Sequence, residues 1–480
     1  MREKYAERNA KGPRRQAARR TMPTMYFLYR ILTALGMIVL APYYALRGWR
    51  KGEPAGTLWQ RLGILPAGMA NGAAGSERSG DGAIWIHAVS VGEVLAAKPL
   101  VDGLKKRMPG RRVFVSTTTE TGQRLARERM QAADGIFYFP LDWVVPVRKA
   151  LRAIQPAAVI VMETEIWPNF LREARRMGVP VVFANARISE RSFKRFEQWR
   201  FLVGEFYGRV LRDAELFLAQ TADDASRLRE MGAEEERVEI TGNLKYDAEP
   251  PAIGAFARWL EGEVRRQERW PVVVAGSVTE GEEEAVLAAY DIVQRKWRHA
   301  LLVMAPRKPD RFDAATEIAE AAGWHVVRRS QLKFEAGAAL TLNENADVLM
   351  LDSIGELAGV YSLADATFVG GSLTKAGGHN ILEPAWFGKP PVFGTSMENF
   401  REMADLFLGA RAGIQVTSGP MLGNVWVQLI EDSATREKMS AAARAITERN
   451  RGATSRSLDR IAALLGGGES VNPRARGAAE

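Results

Sequence analysis

The chain has 480 residues, of which 46% are hydrophobic and 26% are charged, a composition that suits a folded protein of two domains. It has no cysteine, which excludes disulfides, Cys-ligated zinc, iron–sulfur clusters and thiol nucleophiles, and its four scattered histidines are too few for a His-rich metal centre. The net charge is +9, but residues 1–52 hold twelve Arg or Lys and two Glu, so the rest of the chain is almost neutral. An enzyme acting on nucleic acid would normally carry its basic surface on the folded body, so this distribution indicates a membrane and no nucleic acid.

The basic residues near the N-terminus bracket an apolar stretch, Ile31–Leu46, which contains no charge. A spanning helix needs roughly 20 apolar residues, so this one spans only if Arg30 reaches the interface. Cations on both sides favour a segment that lies in one leaflet, held by anionic lipid headgroups. A signal peptide would need a better cleavage site, and a buried core helix would not explain the flanking cations. We therefore predict a membrane anchor within residues 1–52, with a flexible basic tail before residue 22.

Short apolar runs then alternate with helical patterns, which predicts a mostly parallel, doubly wound sheet. A Gly-, Ala- and Ser-rich stretch at 70–83 is predicted as a loop, and a polar stretch near Asp247–Ile253 separates two such series. The predicted strands are 84–89, 112–116, 136–140, 157–163, 179–185, 216–220 and 238–243, then 271–277, 300–306, 324–330, 347–353, 366–371 and 390–394. We predict an α/β protein with two Rossmann-like domains, 53–248 and 249–465, facing across a cleft, and a disordered tail at 466–480.

Ligands of doubly wound sheets bind at the carboxyl ends of the strands, so the residues that follow each strand are candidate site residues. Glu93 follows the first strand through Ser90 and Gly92, a loop small enough for a substrate to approach the carboxylate closely. An acid in the first turn of a helix is also favoured by the helix dipole alone. Considered by itself, Glu93 is better explained by that structural role.

Further charged residues end other strands of the first domain. Glu163 ends a strongly apolar strand, where burying an acid that has no function would cost free energy. Glu165 follows it two residues later. Arg187 ends the next strand and is equally well explained as an anion-binding group or as the partner of one of these acids. Lys245 follows the last strand and faces either solvent or the cleft.

Signals for phosphate binding concentrate in the second domain, where Arg307 directly follows a strand. Gly-rich turns lie at Ala275–Ser277, Gly370–Ser372 and Gly377–Asn380. The last turn leads into a helix predicted to begin near Asn380, whose backbone N–H groups would suit a phosphate. Glu383, one turn later, could accept both hydroxyls of a ribose. For one glycine pair a tight turn is the simpler interpretation. For Glu383 a solvated surface position is the alternative, and spacing alone does not reject it.

Several known signatures are absent from the sequence. It has no Walker A motif and no strand-following G-x-G-x-x-G, which disfavours P-loop ATP hydrolysis and conventional NAD binding. It has no Asp-x-Asp that would chelate a divalent ion on a diphosphate, and no G-x-S-x-G of an esterase.

Taken together, these motifs resemble the Kdo transferases of lipopolysaccharide synthesis, which move 3-deoxy-manno-octulosonic acid (Kdo) from CMP-Kdo onto lipid A precursors. The resemblance is carried, in the family's order and over about residues 25–460, by His87–Glu93, Met162–Asn169, Ala184–Arg187, Thr241–Asp247, Ala305–Arg307, Phe368–Ser372 and Gly377–Pro384. It implies a GT-B fold and an inverting transfer without metal or cofactor, onto lipid IVA at the cytoplasmic face of the inner membrane.

The resemblance also implies roles for single residues. Glu93 would be the general base, and Glu163 and Lys245 would stabilise the transition state. CMP would be held by Pro306, Arg307, Ile354, Gly355, Glu356, Asn380, Ile381, Leu382 and Glu383. Further possible substrate contacts are Ser90, Gly92, Arg187, Ser277, Gly371, Ser372 and Gly378.

Two alternatives stay open at this stage. The chain could be a GT-B transferase that uses a UDP-sugar on another membrane lipid, or a non-catalytic membrane-bound protein that binds a nucleotide or lipid. The tail before residue 22 and the loop at 70–83 are longer than the family needs. The side chains of Asn243 and Ile354 stand where relatives can carry other residues.

Overall fold

The computed structural model describes residues 25–36, 55–66, 68–69, 82–248, 250, 252–332 and 341–466. The chain forms two compact units, the first from the residues up to Ala248 together with those from Arg451 onwards, the second from Glu249–Asn450. The basic tail before residue 22, most of the apolar stretch beyond residue 36, most of the predicted loop at 70–83 and the tail after residue 466 lie outside the described residues.

The first unit contains a parallel sheet of seven strands in the order β3-β2-β1-β4-β5-β6-β7. Its strands are β1 (Ala83–His87), β2 (Val113–Thr117), β3 (Gly135–Tyr138), β4 (Pro156–Met162), β5 (Val181–Ala186), β6 (Leu216–Ala219) and β7 (Val238–Ile240). Its helices up to residue 248 are α1 (25–36), α2 (Ala55–Arg61), α3 (Val91–Arg107), α4 (Glu120–Arg129), α5 (Val144–Ile154), α6 (Pro168–Arg176), α7 (Glu190–Leu211) and α8 (Ala222–Glu230).

The second unit repeats this design, with seven parallel strands in the order β10-β11-β9-β8-β12-β13-β14. The strands are β8 (Val272–Val278), β9 (Leu301–Pro306), β10 (Val326–Arg328), β11 (Val348–Met350), β12 (Ala366–Val369), β13 (Val392–Phe393) and β14 (Ile414–Gln415). The helices are α9 (Ala255–Arg266), α10 (Glu283–Lys296), α11 (Phe312–Ala321), α12 (Leu357–Val360), α13 (Leu382–Trp386), α14 (Arg401–Gly409), α15 (Gly419–Glu431) and α16 (Ser433–Arg449).

The predicted alternation is confirmed, because each predicted strand corresponds to an observed one. One observed strand, β14, was not predicted. It has two residues, as β13 does, but both are half-buried, so it lacks the buried apolar run that marks β13. The doubly wound α/β prediction therefore holds in both units.

Both sheets are buried between helices, because strands covered on both faces must be apolar throughout. In the first unit Trp85 is fully buried, and its ring lies 5.3 Å from that of Phe137 and 5.2 Å from that of Phe170. In the second unit fully buried Trp426 donates from its indole N–H to the carbonyl of Thr367 at 2.9 Å. Each such side chain stabilises its unit by about 1.5–3 kcal/mol.

Helix α1 packs on the first unit through polar groups. The hydroxyl of Tyr26 donates to Asp213 at 3.0 Å, that of Tyr29 donates to Asp142 at 2.8 Å, and Arg30 pairs with buried Glu173 at 2.7 Å. A spanning helix would have required Arg30 to reach the membrane interface, whereas here Arg30 neutralises an acid of the folded unit. No helix in the described ranges combines the length and apolar character needed to cross a membrane.

The last helix, α17 (Ala453–Gly466), belongs to the first unit, although the sequence analysis assigned it to the second domain. The carboxylate of Asp247 accepts from the N–H of Gly452 at 2.6 Å and also from that of Thr454, which fixes the start of the helix. Buried Leu458 then packs so closely on Gly103 that a Cβ there would lie 2.3 Å from it. These contacts join residues more than 200 positions apart, so no local pattern predicts them.

The order of strands creates one switch point in each sheet. In the first, the chain runs from β1 outward to β2 and β3 and then returns to β4 on the other side of β1. In the second, it runs outward from β8 and returns to β12. The loops at such a switch point diverge and leave a crevice at the carboxyl ends of the strands. Candidate site residues are therefore those after β1 and β4, and after β8 and β12.

Candidate active site

Glu93 lies in the first turn of α3, at the switch point of the first sheet. Ser90 caps this helix, and its Oγ accepts a hydrogen bond from the backbone N–H of Glu93 at 3.4 Å. The Glu93 carboxylate in return accepts from the N–H of Val89 at 2.9 Å and from the hydroxyl of Ser90 at 2.8 Å. This reciprocal arrangement resembles a capping box, except that the carboxylate accepts from the N–H of the residue before the N-cap. The structural role that the sequence suggested is therefore present, and it fixes the position of the carboxylate.

The environment of Glu93 also suits a proton acceptor. Burial, and next the negative charge of Glu163, raise the pKa of Glu93 to about 7, although its hydrogen bonds with Val89 and Ser90 lower it. The neighbouring Gly92 is exposed, and a Cβ on it would come no closer to a neighbouring atom than 4.0 Å, from Ser90 Oγ. A carboxylate whose pKa lies near neutrality, beside an open stretch of backbone, can take a proton from a substrate hydroxyl.

Glu163 and Lys245 form an ion pair in the same region. Glu163 follows β4 with a left-handed φ of 53°, and its N–H donates to the carbonyl of Ala184 at 2.9 Å. Lys245 Nζ lies 3.2 Å from Glu163 Oε1, and the side chains are only 18% and 21% exposed. Because the charge of Glu163 acts on Glu93, the structure brings together the three residues predicted to be catalytic.

A buried amide network fixes the backbone that carries Lys245. Asn185, fully buried with a φ of 57°, accepts from the N–H of Leu244 at 2.9 Å. Its carbonyl accepts from Gln220, whose Oε1 accepts from Asn243 at 2.9 Å. Asn243 Oδ1 accepts from the N–H of Lys245 at 3.0 Å. The side chain of Asn243 is thus occupied within the protein.

Arg187 follows β5 and is half-buried, as its place at a strand end predicted. Its carbonyl accepts a hydrogen bond from the hydroxyl of Thr164. Its positive charge lowers the pKa of Asp224, although burial raises that pKa overall. Arg187 thus acts on Asp224, an acid that was not among its predicted partners.

In the second unit the predicted donor-binding residues lie at the carboxyl ends of the four neighbouring strands β11, β9, β8 and β12. Pro306 ends β9 and is buried, while Arg307, directly after it, is exposed. The backbone N–H of Arg307 donates to the carbonyl of Val278 on the neighbouring strand at 2.8 Å. The position of Arg307 is thus set by the sheet, and its guanidinium is directed by no described hydrogen bond.

Arg307 acts electrostatically on two groups of the segment after β12. Burial raises the pKa of Glu383 to about 7, and the positive charge of Arg307 opposes that rise. Burial, and next the charge of Arg307, lower the pKa of His379 to about 4, so this histidine is neutral at pH 7. The structure therefore brings Arg307 and Glu383 together as predicted, and it adds His379 between them in the chain.

The segment that carries Glu383 begins its helix later than predicted. Helix α13 starts at Leu382 and has five residues, and the side chain of Asn380 accepts from the N–H of Leu382 at 3.2 Å. Ile381 and Leu382 are buried. Among the described residues, no acceptor meets the backbone N–H groups of His379, Asn380 and Ile381.

The stretch Ile354–Glu356 follows β11. Ile354 is 76% exposed, and Gly355 has a φ of 91° that suits glycine. Glu356 is held in a two-bond ion pair with Arg329, at 3.0 Å on each side, and accepts from the hydroxyl of Ser353. The carboxylate of Glu356 is therefore already paired, and the exposed backbone before it is the part open to a ligand.

The Gly-rich turns pack against each other at the switch point. Ser277, with a φ of 55°, places its carbonyl 2.4 Å from where a Cβ on Gly370 would lie, so only glycine fits at 370. The N–H groups of Gly371 and Ser372 donate to the carboxylate of Glu282, and the N–H of Gly378 donates to the carbonyl of Gly371. These N–H groups are occupied within the protein, so a phosphate would have to be held by other groups.

Glu282, which is fully buried at this turn, was not among the predicted site residues. A signal for it exists, because Thr279-Glu280-Gly281-Glu282 has the capping-box spacing S/T-x-x-E after a predicted strand. The same spacing occurs at Ser90–Glu93. In the described ranges no three or more His, Asp or Glu side chains are grouped to hold a metal ion, and independence from metal stays a prediction.

Comparison with known proteins adds the family to this geometry. Residues 57–248 match the family model for 3-deoxy-D-manno-octulosonic-acid transferase. The chain is 33% identical over 389 residues to the 3-deoxy-D-manno-octulosonic acid transferase of Haemophilus influenzae, covering 80% of this chain and 87% of that protein. It is also 33% identical over 441 residues to the Bordetella pertussis transferase of the same name, covering 89% and 97%. The chain belongs to the Kdo transferase family.

Membership of this family makes the chain a glycosyltransferase, as the motifs predicted. A solved structure with the same fold is a putative UDP-N-acetylglucosamine 2-epimerase from Listeria monocytogenes, with a TM-score of 0.54 and 13% identity over 82% of this chain and 98% of that one. At this identity the likeness concerns the fold alone, and it agrees with the GT-B prediction of two Rossmann-like units.

Proposed function

We propose that this Kdo transferase moves Kdo from CMP-Kdo to a sugar hydroxyl of a lipid A precursor, lipid IVA, with inversion and without a metal ion. The observation that carries this proposal is the environment of Glu93. Its carboxylate is fixed at the switch point of the first sheet and has a pKa of about 7, beside the ion pair of Glu163 and Lys245. Such a group can act as a base at neutral pH.

In the proposed reaction Glu93 takes the proton of the acceptor hydroxyl, and the oxygen of that hydroxyl attacks the anomeric carbon of Kdo. The bond from that carbon to the phosphate oxygen breaks, and CMP leaves with the electron pair. Glu163 and Lys245 stabilise the charge that develops around the reacting carbon. The attack occurs on the face opposite the leaving group, so the configuration inverts.

The leaving group is a monophosphate, which one guanidinium and backbone N–H groups can hold without a cation. Arg307 supplies the positive charge, and the N–H groups of His379 and Asn380 are available nearby. Glu383 accepts hydrogen bonds from the ribose hydroxyls, and the exposed backbone at Ile354 and Gly355 contacts the nucleobase of CMP.

Because the proposed transfer uses no metal ion, chelation of divalent ions with EDTA should leave its rate unchanged.

The proposed location is the cytoplasmic face of the inner membrane, and the surface of the first unit supports contact with a membrane. Helix α1 points Phe27, Leu28, Ile31, Leu32 and Leu35 outward, each of them at least 38% exposed. Helix α7 packs against α1, since the ring of Phe206 lies 5.2 Å from that of Tyr26. Further exposed apolar and basic side chains of α7 are Trp199, Phe201, Leu202, Arg191, Lys194, Arg195 and Arg200. Apolar groups framed by cations suit an anionic membrane surface, where the phosphorylated acceptor also lies.

The decisive test replaces Glu93 with Ala. We expect transfer from CMP-Kdo to lipid IVA to fall by about three orders of magnitude or more, because the proton acceptor is lost. Binding of CMP should stay as in the wild type, since Glu93 belongs to the first unit. The product is measured by mass spectrometry and CMP binding by calorimetry. Full activity of this variant would refute the assignment.

The donor is tested separately by competition. CMP should inhibit the transfer, and UDP at the same concentration should not. Preferential inhibition by UDP would favour a transferase that uses a UDP-sugar. Binding of CMP without any turnover would favour a non-catalytic protein.

A further inference from the structure

Glu282 lies in the loop between β8 and α10 and has no exposed surface. Its carboxylate accepts five hydrogen bonds. Oε2 accepts from the N–H and the hydroxyl of Thr279, each at 2.9 Å, and from the N–H of Gly371 at 2.6 Å. Oε1 accepts from the N–H groups of Ser372 at 2.9 Å and Leu373 at 2.8 Å. A buried carboxylate with this many donors is stabilised in place, and here it joins the loops after β8 and β12.

The turn that Glu282 holds is in direct contact with the segment proposed to bind CMP. The carbonyl of Gly371 accepts from the N–H of Gly378 at 2.7 Å. A Cβ on Gly371 would lie 2.8 Å from the ring of His379, so the two pack without a gap. Asn380 and Glu383 follow on the same short segment. A shift of the turn would therefore move the groups that meet the nucleotide.

We propose that Glu282 is a positioning residue for the donor: it contacts no substrate, but it fixes the turn Gly371–Leu373 and thereby the segment that carries Asn380 and Glu383. The inference rests on the proposed function of that segment. It assigns the three N–H groups of the turn to the protein's own carboxylate. The phosphate of the donor is accordingly held by other groups, Arg307 among them.

The test is Glu282→Gln in the full chain. An amide presents an NH2 group in place of one carboxylate oxygen, so either the N–H of Gly371 or those of both Ser372 and Leu373 lose their acceptor. We expect the Kd for CMP to rise about tenfold or more, and the KM for CMP-Kdo to rise by the same factor. The KM for the lipid acceptor should not change. A residue that only stabilises the fold would not separate the two KM values.

Glu283→Gln is the matched control, because it removes the same charge one residue away. The side chain of Glu283 is only 2% exposed and pairs with Arg311 at 2.8 Å. Its carboxylate also accepts from the N–H of Gly281 at 2.8 Å, and it has no described contact with the turn. We expect a lower melting temperature but a Kd for CMP within about twofold of the wild type. An equal loss of CMP affinity in both variants would overturn the proposal.

Thr279→Val covers the case in which Glu282→Gln does not fold. It removes one of the five hydrogen bonds and keeps the shape of the side chain. We expect a rise of about threefold in the Kd for CMP with an unchanged circular dichroism spectrum. CMP binding as in the wild type by a folded Glu282→Gln, or by Thr279→Val when only that variant folds, would overturn the proposal.

CMP and UDP are measured in parallel, so that two failures can be told apart. A wild type that prefers UDP would overturn the proposed donor. The ratio between variant and wild type for the preferred nucleotide would still decide the role of Glu282.

Discussion

Two acids occupy equivalent places in the two units and differ in what surrounds them. Glu93 and Glu282 each follow the first strand of a sheet, and each stands three residues after a Ser or Thr. The carboxylate of Glu93 has two hydrogen-bond donors, whereas that of Glu282 has five. A carboxylate with few donors keeps capacity for a substrate proton, while one that is fully bonded holds backbone in place. We therefore propose that the same local motif serves the chemistry in one unit and the geometry in the other.

The pKa of Glu93 predicts the pH dependence of transfer. Because that pKa is about 7, the basic form is scarce at pH 6 and predominates at pH 8, so kcat/KM should rise across this range. Glu163→Gln removes the negative charge that raises this pKa, so the rise should shift to lower pH by up to about one unit, besides lowering the rate.

Glu165→Gln is the graded control for that shift. The charge of Glu165 is the smallest of the causes that act on Glu93, so we expect a smaller displacement in the same direction. The measurement is the pH profile of kcat/KM at saturating acceptor. A profile that is flat between pH 6 and 8, or one displaced to higher pH in Glu163→Gln, would contradict the role of Glu93.

Arg307 and Lys308 are adjacent exposed cations, and only the first is proposed to bind the donor. Arg307→Ala should raise the Kd for CMP by about tenfold or more, because a charged hydrogen-bond donor to phosphate is lost. Lys308→Ala should leave it nearly unchanged. Calorimetry at constant ionic strength separates the two. Equal losses would indicate a general effect of positive charge and no specific contact.

At the scale of elements, helix α1 packs on the folded unit with one side and exposes apolar side chains on the other. The polar contacts of Tyr26, Tyr29 and Arg30 face the unit and leave the opposite side of the helix exposed. Buried Glu173 also pairs with Arg148 of α5 at 2.6 Å and with Arg176 of its own helix at 2.9 Å, so it binds cations from three elements. The arrangement holds the apolar side of α1 in a fixed direction.

The apolar side of α1 gives a prediction for membrane binding. A double variant, Leu28→Ser with Leu32→Ser, should bind vesicles containing phosphatidylglycerol about tenfold more weakly, because two exposed leucines no longer enter the interface. Met421→Ser, an exposed apolar position of the second unit, is the control and should bind as the wild type does. Vesicle sedimentation measures both. Undiminished binding of the double variant would show that this face does not meet the lipid.

At the scale of the whole molecule, the chain returns to its first unit after completing the second. Helix α17 is fixed by Asp247 at its start and by Arg456, whose Nε donates to the carbonyl of Thr241 at 2.8 Å. Buried Leu458 and Ile461 add apolar contacts to the same cluster as α3. The first unit is therefore incomplete without residues from the end of the chain.

Truncation after Asn450 tests this dependence. We expect the first unit to unfold at lower denaturant, since two buried side chains lose contacts that stabilise by about 1.5–3 kcal/mol each. The Kd for CMP should not change, because the second unit is intact. Proteolysis that follows each unit separately measures the stability of the first unit, and calorimetry measures the Kd for CMP. A first unit of unchanged stability would contradict the assignment of α17.

Much of the architecture is encoded locally. A strand buried on both faces must be apolar along its length, so each such strand is visible in the sequence, whereas the half-buried pair Ile414–Gln415 is not. Parallel strands place their carboxyl ends at one edge, so the positions of Glu93, Glu163, Lys245 and Arg307 as candidate site residues also followed from the sequence.

Only the tertiary structure decided what these residues contact. In the structure Glu163 pairs with Lys245, and Arg30 pairs with Glu173. Glu282 accepts hydrogen bonds from the N–H groups of a turn that the sequence predicted for a phosphate. Each of these outcomes depends on side chains far apart in the chain, whose partners are set by the order of strands and by the packing around them. Periodicity and spacing report which groups reach the edge of a sheet, while long-range packing determines which of them stay free for a substrate.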